Sequence, residues 1–219
     1  MFPECLTVVF SRPEMSTDKE QQLIEGAMSI FMRYGIKSVN MDDVARQLGV
    51  SKKTLYLYFN DKEDLLSRVV QRHCSLEQES ISAIVSKKLS AIEEMFEIMH
   101  WVLSILSKIH PSVKFDLEKY HPELDNTMKL ARAAVVHGCI LNNLKKGKKE
   151  GAYRKDLDAE IITRIYLARI DTFLDPEIFP FDRYKPVDVY KELFQYHIHG
   201  IASAKGIEQL ETIIKQKRK

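Results

Sequence analysis

Apolar residues recur at spacings of three and four along almost the whole chain from Asp18 onward, and this pattern constrains the fold most strongly. The first segment of this kind carries its apolar residues at Leu23, Ala27, Ile30, Phe31 and Tyr34. Such spacing places side chains on one face of a helix, where they can be buried together. Only 8 glycines and 7 prolines stand in 219 residues, which leaves few of the turns that an all-β fold requires. The pattern therefore predicts an all-α fold of about nine or ten helices.

Glycine, proline and capping residues mark where these helices should begin and end. The first helix should stop at Gly35, which can adopt the left-handed conformation of a C-cap. Two short helices should follow over about 41–48 and 52–59, capped by Asn40 and Ser51. The remaining helices are expected over about 62–81, 89–109, 113–120, 122–149, 159–173, 186–202 and 206–217.

Three parts of the chain differ in character. Residues 1–14 contain two prolines and lack both the basic start and the apolar run of a secretory signal, so we expect a disordered leader. Met15 then opens a more ordinary N-terminus and is a second candidate for the translation start. Residues 15–61 should form a small N-terminal domain, and residues 62–219 a larger helical domain.

Charge and cysteine content exclude several classes of protein. Lys and Arg total 33 against 31 Asp and Glu, so any binding to nucleic acid must depend on a local basic patch. No apolar run approaches the roughly 18 residues that span a bilayer, so no membrane partner is expected. The three cysteines are widely spaced and odd in number, which indicates reduced thiols in a cytoplasmic protein.

The stretch from residue 41 to residue 62, MDDVARQLGVSKKTLYLYFNDK, carries the most specific signal. Two short helices joined by a glycine turn are typical of a helix-turn-helix. Leu55 and Phe59 would bury the inner face of the second helix, which leaves its basic and hydroxyl side chains outside. Residues at the N-terminus of such a helix can reach base edges in the major groove of DNA. Tyrosine hydroxyls and exposed helix N-termini can bind phosphate.

The run from Glu20 to Leu66 resembles the N-terminal domain of the TetR family of transcriptional regulators. The string GVSKxTLYxYFxxKExL is the hallmark of that family and stands here at residues 49–65. The resemblance implies that DNA bases are contacted by Lys52, Lys53 and Thr54. It implies that DNA phosphates are contacted by Asn40, Met41, Tyr56, Tyr58 and Lys62. The chain departs from the family pattern at Lys53, where a small residue is frequent, and at Met41, which stands near a usual threonine.

The resemblance also implies a homodimer that is built on the last two long helices, about 159–173 and 186–202. The last of these helices has apolar residues on more than one side, which suggests a partner surface, although burial within one chain would explain them too. The candidate interface residues are Ile165, Arg169, Tyr190, Phe194, His197 and Ile201.

A ligand pocket is expected among the middle helices, between residues 89 and 144. Its candidate walls are Met95, Phe96, Met99, Leu103, Phe115 and Met128, with His137 as a polar group. The alternative is that this apolar stripe at helical spacing is ordinary core. The mostly apolar character of the segment favours an apolar small molecule as effector.

No catalytic, metal or cofactor motif is present: the sequence lacks GxSxG, a Walker loop, GxGxxG and HExxH. The sequence therefore predicts a regulator, usually a repressor, that binds a near-palindromic double-stranded DNA operator as a homodimer and is released by a small-molecule effector. Two alternatives stay open: a helical enzyme or ligand carrier with a vestigial helix-turn-helix, and a helical adaptor for protein partners.

Overall fold

The computed structural model describes residues 18–170 and 172–217, so the expected leader lies outside the described residues. Ten α-helices and one short 3-10 helix, but no β-strand, occur in this part of the chain, in agreement with the all-α prediction. The first five α-helices are α1 (Asp18–Tyr34), α2 (Met41–Gln47), α3 (Lys52–Tyr56), α4 (Lys62–Ser86) and α5 (Ala91–Leu106). They are followed by α6 (Ser112–Tyr120), α7 (Pro122–Glu150), α8 (Ala159–Arg169), the 3-10 helix (Thr172–Leu174), α9 (Pro186–Ile201) and α10 (Ala204–Lys217). Within the described ranges, none of these helices combines the length and apolarity that a membrane crossing needs.

The N-terminal core is formed by α1, α2, α3 and the first half of α4. The predicted stripe of α1 is buried except at Tyr34, and Leu55 and Phe59 are buried as expected. Val113 and Leu117 of α6 complete this core from the other side. The N-terminal helices therefore pack directly on a helix of the larger domain.

The second core lies between α5, α7, α9 and α10, with the far end of α4. Ile81 and Ile84 of α4 belong to it, whereas Leu65 and Leu66 of the same helix belong to the N-terminal core. Because α4 spans 25 residues without interruption, it joins the two cores through one rigid element.

A buried polar network fixes α5 against α7. The hydroxyl of Tyr153 donates to Oδ1 of Asn143 at 2.8 Å, and Nδ2 of Asn143 donates to Oε1 of Glu94 at 2.7 Å. Lys146 lies 2.9 Å from the other oxygen of Glu94, which compensates the buried carboxylate. Gly147 gives Tyr153 room, since a Cβ there would stand 2.1 Å from the ring.

Four helices differ in length from the prediction: α5 spans Ala91–Leu106 rather than 89–109, and packing decides the ends of the other three. α3 stops at Tyr56 rather than near residue 59, since the chain turns there to bury Phe59. α4 continues to Ser86 rather than residue 81, where it buries Ile84. α8 stops at Arg169, and the separate 3-10 helix that follows buries Phe173.

Candidate nucleic-acid interface and ligand cavity

Both short helices of the helix-turn-helix are capped at their N-termini. Asn40 Oδ1 accepts from the backbone N–H of Asp43 at 2.9 Å, and Asp43 Oδ2 accepts in return from the N–H of Asn40 at 3.1 Å. Ser51 Oγ accepts from the N–H of Thr54 at 3.0 Å at the start of α3. Between the two helices Gly49 has φ +66°, a conformation that other residues adopt at a cost. These local contacts fix the angle at which α3 is presented.

The outer face of α3 carries the predicted base contacts. Lys52 and Lys53 are exposed, and Thr54 is half-buried with its hydroxyl 2.7 Å from that of Ser51. Lys52 Nζ lies 2.7 Å from Oδ1 of Asp42, and this hydrogen bond raises the pKa of Lys52. Both partners of that ion pair are exposed, so it is weak and Lys52 can exchange it for DNA.

The residues that were predicted to contact phosphate differ in how far their side chains are exposed. The tyrosine side chains of positions 56 and 58 lie on the outer part of the motif, exposed and half-buried respectively. Asn40 is exposed, but its side chain already serves as the cap of α2. Met41 is buried in the N-terminal core, because it fills a position between α1 and α2, so only its backbone N–H is left to meet a phosphate.

Lys62 has a structural contact that its sequence position did not reveal. Its Nζ donates to the backbone oxygen of Ile36 at 2.6 Å, and burial lowers its pKa. The side chain thus ties the start of α4 to the turn between α1 and α2. A phosphate contact by Lys62 would use the remaining protons of the ammonium group.

Two further residues matter in this region and are not among the predicted DNA contacts. Leu57 follows α3 with 73% of its surface exposed, on the same stretch as the basic side chains. Asp116 of α6 is buried, and its Oδ2 accepts from the backbone N–H groups of Ile36 and Lys37, both at 2.9 Å. A carboxylate from the larger domain therefore holds the turn that precedes the helix-turn-helix.

Two apolar, partly open cavities lie between the helices. The α6 cavity, of about 90 Å³, is walled by α1, α4, α6 and α7. The α5 cavity, of about 110 Å³, is walled mainly by α4, α5 and α7. The wall between them is shared by His73, Ile109, Arg132 and Leu174. The cavities are adjacent, and the first one reaches α1 of the DNA-binding domain.

Of the predicted pocket residues, only Met128 lines either cavity, on the α6 side. Met95, Phe96 and Met99 are buried in the second core, and Leu103 packs against it, because their face of α5 meets other helices. The two remaining residues lie elsewhere: Phe115 is largely exposed beside Tyr120, and His137 is 3.3 Å from Oε1 of Glu160. The polar groups that do face the cavities include His73, Glu77 and Arg132.

Of the predicted interface residues, four are buried within the chain itself: Tyr190, Phe194, His197 and Ile201. They pack inward because α9 covers the second core. Burial and the nearby Arg169 lower the pKa of His197 to about 4, and its Nε2 has no hydrogen-bond partner among the described residues. Ile165 is 46% exposed, and Arg169 stacks over Tyr196, which is 72% exposed. The outward face of α8 and α9 is therefore formed by Ile161, Ile165, Arg169 and Tyr196.

Comparison with known proteins shows that the helix-turn-helix region is similar to a known family. Residues 23–69 match the family model described as bacterial regulatory proteins, tetR family. Among curated proteins, the chain is 23% identical over 185 residues to the fatty acid metabolism regulator protein of Bacillus subtilis. That alignment covers 84% of this chain and 95% of the relative. These relatives are regulators rather than enzymes.

Solved structures resemble the chain over most of its length. One is FadR from Bacillus subtilis in complex with stearoyl-CoA, with a TM-score of 0.59 and 20% identity over 83% of this chain and 98% of that one. Another is the ketosteroid transcriptional regulator KstR2 of Mycobacterium tuberculosis, with a TM-score of 0.56 and 16% identity over 85% and 96%. At these identities the likeness establishes the fold. The shared architecture extends beyond the N-terminal domain to the larger helical domain.

Proposed function

Since residues 23–69 match the TetR family model, we propose that the chain is a TetR-family DNA-binding transcriptional regulator that represses transcription as a homodimer bound to a near-palindromic operator. The observation that carries this proposal is the capped helix-turn-helix, whose second helix has its apolar face buried and its basic face exposed. Two such helices, related by a two-fold axis, would enter major grooves about one helical turn apart. A regulator of this kind works in the cytoplasm, where its operator is.

On this proposal the recognition helix contacts both the bases and the phosphates of the DNA. Lys52, Lys53 and Thr54 stand at its N-terminal end and would read base edges. Tyr56 and Tyr58 follow and would bind phosphates, together with the start of α2 at Asn40 and the ammonium group of Lys62.

The dimer is proposed to form through the outward face of α8 and α9. This face exposes Ile161, Ile165 and Tyr196, and the last two border an open surface groove. Exposed apolar side chains that lie together mark a surface for a protein partner. A second copy is the partner that a two-fold symmetric operator would require.

The effector is proposed to be a mostly apolar small molecule that occupies the two adjacent cavities and lowers DNA affinity. An effector does this only if it binds the DNA-incompetent arrangement more tightly. A hundredfold relief of repression needs a preference of about 2.7 kcal/mol between the two arrangements. The similarity to a fatty acid metabolism regulator and to a structure that holds stearoyl-CoA supports a long aliphatic effector.

The dimer proposal is tested by replacing one exposed isoleucine on α8. Ile165→Glu places a charge in the proposed interface, and we expect monomers by sedimentation velocity and loss of operator binding. Ile178→Glu is the matched control, since Ile178 is similarly exposed at 52% but lies in the loop before α9. A dimer that survives Ile165→Glu, or that is lost equally with Ile178→Glu, would contradict the assignment of this face.

Salt dependence separates the regulator from a carrier with a vestigial helix-turn-helix. A dimer that contacts several phosphates displaces several counterions, so its DNA affinity should fall by orders of magnitude between about 50 and 200 mM salt. Fluorescence anisotropy with duplex DNA measures this slope. A specific duplex should keep measurable binding at physiological salt, whereas a carrier would show none.

A further inference from the structure

The two cavities meet at one imidazole. His73 of α4 lines both of them, together with the apolar Ile109 and Leu174 and with Arg132. Among the described residues, no hydrogen bond engages the side chain of His73. Its ring nitrogens are accessible rather than sealed off, so a bound polar group can form a hydrogen bond with them. His73 is therefore placed to meet a ligand at the junction of the cavities.

The charged groups around this junction are already compensated by one another. Arg132 Nε lies 3.4 Å from Oε1 of Glu77, next to His73. Lys129 lies 2.8 Å from Asp125, and Lys114 pairs with Glu118. Every cation that lines the cavities within the described residues thus has a carboxylate partner. A ligand anion here would lose its hydration without gaining a free cation.

The surroundings of the imidazole favour its neutral form. Burial lowers the pKa of His73, and Arg132 acts in the same direction while Glu77 opposes it. A neutral imidazole has one N–H donor and one acceptor nitrogen. It can therefore donate one hydrogen bond to an uncharged oxygen without bringing a charge into the apolar cavity.

We infer that the effector is an elongated aliphatic molecule with a neutral carbonyl group, an ester, thioester or ketone, whose oxygen accepts a hydrogen bond from His73 at the junction of the two cavities. The aliphatic groups next to the carbonyl would enter the α6 and α5 cavities, and a longer chain would continue through the open side of a cavity. Each of these is of the size that holds a small apolar group, as an apolar cavity of about 150 Å³ can hold benzene. This inference rests on the proposed ligand-responsive function and specifies its ligand.

The test is direct binding to the full-length protein in the absence of DNA. Trp101 lines the α5 cavity and is the only tryptophan of the chain, so its fluorescence reports occupancy. Methyl decanoate, decanoate and decane are the probes, at a pH where decanoate is ionised. We expect saturable binding of methyl decanoate with an affinity at least about tenfold above that of decanoate.

Variants at His73 distinguish the hydrogen bond from simple packing. His73→Leu should lower the affinity for methyl decanoate by about fivefold to tenfold, which is the contribution of one hydrogen bond. The affinity for decane should not change. His73→Gln keeps a neutral donor and should restore most of the affinity. His137→Leu is the control, because that histidine lies outside both cavities and should change neither probe.

Several outcomes would overturn the inference. If decanoate bound as tightly as methyl decanoate or more tightly, the site would not select a neutral carbonyl group. If His73→Leu lowered the affinities for methyl decanoate and decane equally, His73 would contribute by packing alone. No saturable response to any probe in the unaltered protein would remove the cavities as a site for this class of ligand. Operator binding measured on the same preparations keeps these failures distinct from failure of the DNA-binding proposal.

Discussion

At the scale of single residues, Tyr56 and Lys52 should differ in what they contribute to DNA binding. Tyr56→Phe removes a hydroxyl that is proposed to bind phosphate, so it should weaken binding to all duplexes alike by about 1 kcal/mol. Lys52→Ala should instead change the preferred bases, because Lys52 stands at the N-terminal end of α3. Sequencing the bound fraction of a randomised operator library measures both effects. Equal, sequence-independent losses for the two variants would contradict this division.

Two glycines of α7 provide a matched pair for the packing of the second core. Gly147→Ala should destabilise the protein by about 1–3 kcal/mol, since its Cβ would stand 2.1 Å from the ring of Tyr153. Gly138→Ala meets nothing within 4 Å and should stabilise the helix by up to about 1 kcal/mol. Urea unfolding measures both free energies. If both substitutions changed stability in the same direction, the close approach of Tyr153 would not be a constraint.

The candidate residues of the DNA interface could be named from the sequence because a local motif fixes them. Ser51, Gly49 and Asn40 act on their immediate neighbours, so their spacing alone predicts the caps and the turn. The residues that line the cavities could not be identified in this way. Met95 and Phe96 were predicted to line a pocket, but they are buried in the second core. Periodicity shows that a helix face is apolar, but the same pattern serves a face that meets another helix and one that borders a cavity.

At the scale of elements, α6 connects the cavity with the DNA-binding domain. Its Val113 and Leu117 line the α6 cavity, while Asp116 between them holds the backbone of Ile36 and Lys37. A ligand that moves α6 would therefore move the turn that leads into α2. The buried carboxylate of Asp116 is one part of this contact, and its role is open to a direct test.

Asp116→Ala should lower both the stability of the protein and its affinity for operator DNA. It removes the acceptor of two backbone N–H groups, at a cost of about 1–3 kcal/mol. Asp116→Asn keeps one carbonyl oxygen and should lose less on both measures. Thermal unfolding and operator titration of the two variants check this ordering. If Asp116→Asn and Asp116→Ala had the same stability and the same operator affinity, the contact would not position the turn.

The positions of most helices follow from the sequence, whereas several of their ends do not. Gly35 and Gly151 stop α1 and α7 as local signals, each with a positive φ. The ends of α4 and α8 depend on tertiary contacts, since Ile84 and Phe173 are buried against distant helices. Burial by residues far apart in sequence leaves no local signal, which is why α4 is longer than predicted.

At the scale of the whole molecule, shared helices join the proposed DNA-recognition, effector and dimer surfaces. α4 passes from the N-terminal core into the second core, and both cavities lie along it. The exposed face of α8 and α9 belongs to the larger helical domain. The spacing of the two recognition helices would then depend on this dimer contact and on how α4 and α6 hold α1.

The overall architecture was predictable because helical periodicity persists through the chain, and the α10 tail as well as the α2–α3 motif were found where expected. The sequence predicted interface residues on α8 and α9, but four of them, all on α9, are buried within the chain itself. Tyr190 and Phe194 are as apolar as an interface residue would be, and only the packing of α9 on the second core shows that they face inward.

The proposed function requires that two copies of this chain read one symmetric DNA site. Selection of bound duplexes from a random library at physiological salt, followed by sequencing, tests this requirement. We expect a two-fold symmetric site whose half-sites are centred about one helical turn, roughly 10 base pairs, apart. Enrichment of an asymmetric single half-site, or of no sequence at all, would contradict it.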